Sequence, residues 1–159
     1  MKHLLRISMV TIALAILGTT SPLYACSCSE GTMELSPAEA RAVFRGWFDS
    51  FKGALFIGRV TALEAVENDQ AGSRVIEMKV TFSVERYWKG VEGRTITIFT
   101  GAGCCDCGVK YSMGKRYFVL AQKIEKQLRT DICTSPKGLD DVKAYEKEFG
   151  RGMVPQWPK

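Results

Sequence analysis

Arg74-Val75-Ile76-Glu77-Met78-Lys79-Val80-Thr81-Phe82-Ser83-Val84-Glu85-Arg86-Tyr87-Trp88 reads as a β-strand. Ile76, Met78, Val80, Phe82 and Val84 recur at every second position, the period of a strand with one face turned to a core. The residues between them, Val75, Glu77, Lys79, Thr81, Ser83 and Glu85, make no apolar face.

Working outward, the polar stretch from Glu67 to Ser73 predicts a hairpin loop. Before it, Ala54 to Val66 predicts a first strand, with Gly58 allowing a bend. After it, Lys89-Gly90-Val91-Glu92-Gly93 turns the chain into a third strand, Arg94 to Thr100, with Ile96 and Ile98 on one side. Gly101 to Gly108 holds three cysteines among small residues and predicts a constrained loop. Lys115 to Lys123 supplies a fourth strand and Leu128 to Cys133 a short fifth. Upstream, Ser36-Pro37-Ala38-Glu39 carries a cap, a first-turn proline and a capping-box acid. Val43, Phe44, Trp47, Phe48 and Phe51 then share one helical face, expected to pack on the core, and Gly53 ends the helix. Leu139, Val142, Tyr145 and Phe149 form one face of a closing helix stopped by Gly150, and Met153 to Lys159 is expected to be extended. There is no internal repeat and no low-complexity segment. Five short strands with a helix at each end predict a mainly β fold, a small five-stranded OB-type barrel with flanking helices.

The chain has 159 residues, a formal net charge of +5, six cysteines and one histidine. Residues 1–25 read as an export signal: Lys2, His3 and Arg6 lead an apolar run from Ile7 to Leu17, and Ala25 is the small residue before the cut. Removing them leaves 134 of the 159 residues, and loss of Lys2 and Arg6 lowers the charge from +5 to +3. That size suits one domain with one core, and that charge does not point to nucleic acid. An exported domain with an even cysteine count predicts a disulfide-stapled framework. His3 lies in the signal, so the mature chain holds no Ser-His-Asp triad, Cys-His pair or histidine-ligated zinc. No cofactor and no enzymatic activity are expected.

With Cys26-Ser27-Cys28 at the predicted mature start, the chain resembles the N-terminal domain of the tissue inhibitors of metalloproteinases. The landmarks agree in order: Cys-x-Cys, a helix, Phe56-Ile57-Gly58-Arg59-Val60, a long strand ending Tyr87-Trp88-Lys89-Gly90, and Cys107-Gly108. Gly114-Lys115-Arg116-Tyr117-Phe118-Val119-Leu120-Ala121 and Thr130-Asp131-Ile132-Cys133 complete the set. The resemblance covers residues 26–135 and leaves 136–159 as a C-terminal helix and tail. It implies an OB-fold with the N-terminus tied across it by Cys26–Cys107 and Cys28–Cys133 bridges. Cys104 and Cys105 depart from the family pattern. They bridge each other, stay as thiols or pair between chains.

The same resemblance implies inhibition of a zinc metalloprotease by a monomeric, secreted or periplasmic protein. The α-amine of Cys26 has a pKa near ~8, so its neutral form is available near neutral pH. That nitrogen and the Cys26 carbonyl oxygen would chelate the protease's zinc at the position its water holds. Ser27 would point into the adjacent specificity pocket, Ser29 to Gly31 would run along the cleft, and Cys105-Asp106-Cys107 would sit beside it. A Cys26–Cys107 bridge closes a long loop and contributes at most ~4–5 kcal/mol by loop entropy. It would also pre-order the inhibitory wedge.

Three other readings compete. In one, Leu23-Tyr24-Ala25-Cys26 acts as a lipobox, Cys26 is acylated, and the protein is an outer-membrane lipoprotein, its one route to a membrane. That leaves five cysteines, an odd number. In the second, the Cys-x-Cys is a staple in a structural or interaction module without inhibitory activity. In the third, Cys104-Cys105-Asp106-Cys107 with Cys26 and Cys28 forms a thiolate cluster. Asp140-Asp141 and Glu146 to Glu148 read as solvated helix faces. Arg86, Trp88 and Lys89 are the residues that would make a base-stacking platform, if there were one.

Overall fold

In the computed structural model, Cys28 and residues 36–70, 73–102, 106–134 and 139–156 are described. The elements run α1 (Pro37–Ser50), β1 (Gly53–Gln70), β2 (Ser73–Lys89), β3 (Thr95–Gly101), β4 (Arg116–Ile124), β5 (Gln127–Arg129) and α2 (Leu139–Phe149). The fold is mainly β. Its five strands form one sheet that closes on itself in the order β1-β2-β3-β5-β4.

Closure depends on the first half of β1. Over Gly53–Arg59 it pairs antiparallel with β4, and from Leu55 onward with β2. Ala54-Leu55-Phe56-Ile57 is a continuous apolar run, and so is Phe118-Val119-Leu120-Ala121 on β4; such runs suit strands covered on both faces. All eight residues are buried. Ala54, Phe56, Val119 and Ala121 point inward to join Val80, Phe82, Val84, Ile96 and Ile98. Leu55, Ile57, Phe118 and Leu120 point outward and are covered by Trp88, Val142, Phe48, Phe51, Tyr145 and Phe149. The fold therefore has an inner core and an outer one roofed by the two helices.

The alternation of β2 holds for Met78, Val80, Phe82 and Val84, which join the inner core. It fails at Ile76, which is 56% exposed. Ile76 lies beyond Glu77, the last β2 residue paired to β3, on an arm where only β1 and β2 remain. The expected loop from Glu67 to Ser73 shrinks accordingly, because both strands of this arm run on to Gln70 and from Ser73.

Helix α1 starts as predicted, with a capping box between Ser36 and Glu39. Its C-cap is Phe51, and Gly53 opens β1 rather than ending the helix. The apolar face of α1 is only half used. Phe48 packs on the outer core, while Val43 is 54% and Trp47 38% exposed. Phe44 and Phe48 meet Phe149, so α1 spends its face on α2 as much as on the sheet.

Ion pairs fasten the helices. Arg41 and Arg45 of α1 reach Glu148 of α2. Arg86 of β2 bonds Glu146, so Glu146 and Glu148 are tied down and are not free solvated charges. Lys89 Nζ donates to the carbonyls of Phe48 and Asp49 at the C-terminal end of α1, where a cation is favoured. Trp88 is buried and its Nε1 donates to the Gly150 carbonyl. Arg86, Trp88 and Lys89 are thus all committed internally, and no stacking platform forms from them. Gly90 is obligatory: its φ is +68° and a Cβ there would lie 1.9 Å from the Gly53 carbonyl oxygen.

Phe82 is fully buried and meets Phe56, Tyr111 and Tyr117 edge-on. Truncating it empties the middle of the inner core. Phe82→Ala is expected to cost about 3–5 kcal/mol, read from chemical denaturation against the unaltered protein.

Candidate functional site

Two turns meet at the end of the sheet where β3 stops and β5 leaves. The first carries Asp106 and Cys107, the second Asp131 to Thr134. Asp106 Oδ2 accepts the amide of Ala102 at 2.7 Å, and Oδ1 accepts that of Gly108 at 3.2 Å. Its carboxylate is therefore turned into its own loop. Gly101 makes room for it, since a Cβ there would lie 2.3 Å from Asp106 Cγ. Cys107 has a φ of +56°, which costs a non-glycine residue of order 1–3 kcal/mol and persists where the surroundings over-determine it. Those surroundings are a disulfide on its sulfur and the Ile132 amide, which donates to its carbonyl at 2.9 Å.

The second turn replaces most of the fifth strand expected over Leu128 to Cys133. The strand is Gln127–Arg129 alone. Asp131 Oδ1 accepts the amides of Cys133 at 2.9 Å and Thr134 at 2.7 Å, plus the Thr134 hydroxyl. A short side chain that bonds backbone two and three residues on closes a turn and competes with the ladder.

Cys133, held by that turn, is bonded to Cys28 with a Cα–Cα distance of 5.3 Å across 105 residues of chain. The expected Cys28–Cys133 bridge is present. Because Ile132 adjoins Cys133 and bonds Cys107, the structure brings Cys28, Cys107 and Cys133 to one place, with Asp106 beside them. Cys28, Asp106 and Cys133 are exposed there. Cys26, Ser27, Ser29, Cys104 and Cys105 lie outside the described residues, and so does the partner of Cys107. The Cys26–Cys107 and Cys104–Cys105 pairings are therefore not described.

Beneath these turns is a cavity of about 240 Å³ lined by Glu77, Thr100, Asp106, Arg129, Thr130 and Asp131, among others. Its floor is an ion pair the sequence reading passed over. Glu77, 3% exposed, bonds the Arg129 guanidinium and also accepts Asn68 Nδ2 at 3.0 Å. Three strands are joined by these side chains, β1 through Asn68, β2 through Glu77 and β5 through Arg129. Burial pushes the Glu77 carboxyl up, yet the Arg129 and Asn68 bonds outweigh it and hold it below the ordinary glutamate value. The one signal available in the sequence was an acid on a strand whose other face is apolar. Alternation placed it in solvent, and only the tertiary cover of the two turns buries it.

Among the described residues, no group of three or more histidine, cysteine, aspartate or glutamate side chains is placed to hold a metal. No described helix is long and apolar enough to cross a membrane. No protein-family model matches the chain, and no curated protein or solved structure is significantly similar to it.

Glu77 has a depressed folded pKa, so its contribution is complete above the unfolded value near ~4.3 and is lost as pH falls through the folded value. Glu77→Gln is expected to cost roughly 2–3 kcal/mol at neutral pH, less than a fully buried pair because Arg129 keeps some solvent. Denaturation midpoints across acidic pH provide the check: the variant's stability should fall less steeply below about pH 4 than the unaltered protein's.

Proposed function

We propose that the closed five-stranded sheet is an OB-type barrel, and that the exported protein inhibits a zinc metalloprotease with its N-terminal cysteine. The observation that carries this reading is the Cys28–Cys133 bond, seated one residue from the Ile132–Cys107 hydrogen bond. It fixes the chain just after Cys26-Ser27 on the turn-bearing end of the sheet. Two residues of chain span at most about 7 Å, so Cys26 stays within that distance of a rigid anchor. An anchor of this kind lowers the ordering cost of binding.

The chemistry requires a free α-amine on Cys26. Its nitrogen and the Cys26 carbonyl oxygen form a five-membered chelate on the protease's zinc and displace the nucleophilic water. The disulfide sulfurs take no part. Ser27 enters the neighbouring pocket of the protease. Asp106 shapes its own loop, since its carboxylate accepts two amides there.

The test is titration of the processed protein against a panel of zinc metalloproteases, beside a form with one alanine added ahead of Cys26. The added residue moves the amine off the metal and is expected to weaken inhibition about 100-fold, or roughly 2.7 kcal/mol. Equal inhibition by the two forms would end the chelation mechanism. An intact mass carrying acyl chains on Cys26 would end it too, because the amine would be consumed.

A further inference from the structure

The sheet closes least well between β3 and β5. They pair in parallel at a single position, Phe99 with Arg129, where the Thr130 amide donates to the Phe99 carbonyl. Below that contact the two strands diverge. The opening is a cleft of about 710 Å³ whose lining includes Thr95, Ile96, Thr97, Leu128 and Phe51. That volume lies in the range of ligand sites, about 300–1,000 Å³.

One wall of the cleft is a free strand edge. The Val84 amide donates to the Arg94 carbonyl, which makes Val84 and Arg94 a hydrogen-bonded pair. Antiparallel pairing alternates, so the backbone groups of Ile96 and Ile98 also turn to β2. Those of Thr95 and Thr97 turn the other way, into the cleft, and no strand among the described residues pairs with them there.

The opposite wall is cationic. Four lysines line the cleft, Lys52, Lys89, Lys123 and Lys126, against one acid, Glu92. Lys89 is occupied by the end of α1. Lys52, Lys123 and Lys126 are exposed and make no ion pair among the described residues. Lys52 and Lys123 stand opposite each other, with the Lys123 amide donating to the Lys52 carbonyl at 2.8 Å. Like charges placed opposite on neighbouring strands repel, and an anion between them relieves the repulsion.

We propose that this cleft binds an extended acidic segment of a partner protein, which adds as a strand to the Thr95–Thr97 edge of β3. Backbone pairing with Thr95 and Thr97 supplies a main-chain anchor, as in other strand additions. Alternate side chains of the segment then divide by face. Apolar ones meet Ile96 and Leu128, and acidic ones meet Lys52, Lys123 and Lys126. The free edge and the apolar floor favour a peptide over a bare anion, which needs neither. This inference is independent of protease inhibition and lies away from the Cys28–Cys133 anchor.

The probe is a short, labelled, acetylated peptide of alternating Glu and Val, followed by fluorescence anisotropy with the folded protein as purified from its host. Binding is expected, with affinity falling at least about tenfold between ~50 and ~300 mM salt, as exposed charges are screened. Lys123→Gln with Lys126→Gln is expected to weaken it by about 2- to 30-fold, the loss of two exposed charge contacts. Thr97→Pro removes the amide that faces the cleft and spares the backbone bonds to β2; it also deletes the Thr97 hydroxyl, 3.3 Å from that of Thr81, so Thr97→Val, which loses the hydroxyl alone, is the control. Thr97→Pro is expected to abolish binding and Thr97→Val to keep it. No binding, equal binding of the Lys-Val counterpart, or no effect of the double lysine substitution would overturn the proposal. So would a single-stranded oligonucleotide that binds as tightly and is indifferent to Thr97→Pro, since the cleft would then be a general anion site.

Discussion

The double pairing of β1 over Leu55–Arg59 is the constraint on which the rest of the structure depends. A strand flanked on both edges and covered on both faces leaves no backbone group to solvent, and here the covered faces belong to two separate cores. Phe56 fills the inner one and Leu55 and Ile57 the outer one. Through the outer residues, closing the sheet creates the apolar surface that α1 and α2 exist to cover. The helices are secondary in this sense. Their exposed Val43 and Trp47 show a roof that overhangs its wall. Their ion pairs through Glu146 and Glu148 set the angle of the roof more than they deepen the core.

At the other end of β2 the constraint is polar. Glu77 gathers Arg129 and Asn68 beneath the two turns that present the cysteines. A buried acid of this kind is costly unless its bonds are complete, so it selects one arrangement of the strands that donate to it. The turns above are fixed by the same logic at smaller scale. Asp106 and Asp131 each commit a carboxylate to backbone amides, so the disulfide and the exposed loop surface, Asp106 included, are what this end offers a partner.

Much of the fold was legible because its signals are local. The β2 alternation, the unbroken apolar runs of β1 and β4 and the Ser36–Glu39 capping box need nothing beyond neighbouring residues. The Cys28–Cys133 pairing was legible only through the ordered resemblance. Spacing alone leaves fifteen pairings open for six cysteines. What escaped depends on residues far apart in the chain. Ile76 looks like core until β3 is seen to stop at its partner Glu77. Glu77 looks solvated until two loops cover it. The fifth strand was overdrawn because Asp131 offers its backbone a turn that hydrophobic patterning cannot register. The lysines of the cleft come from three connections of the sheet and make no run in the sequence.

Arg129 draws these observations together. Its backbone forms the single parallel pair with Phe99 that completes the ring, and its side chain holds Glu77. A closure made at one residue cannot hold both ends of a seam equally. On the Glu77 side it is reinforced by the ion pair, the Thr130 hydroxyl on the Leu120 carbonyl and the Ile132–Cys107 bond, so that end is closely bonded. On the other side, from Phe99 back to Thr95, nothing among the described residues continues it, and the seam opens onto Lys123 and Lys126. A closely bonded end suits the inhibitory wedge proposed above, which would bind with little ordering cost. An open strand edge suits a site whose occupant supplies the missing pairing. Both follow from closing a five-stranded ring with a strand only three residues long.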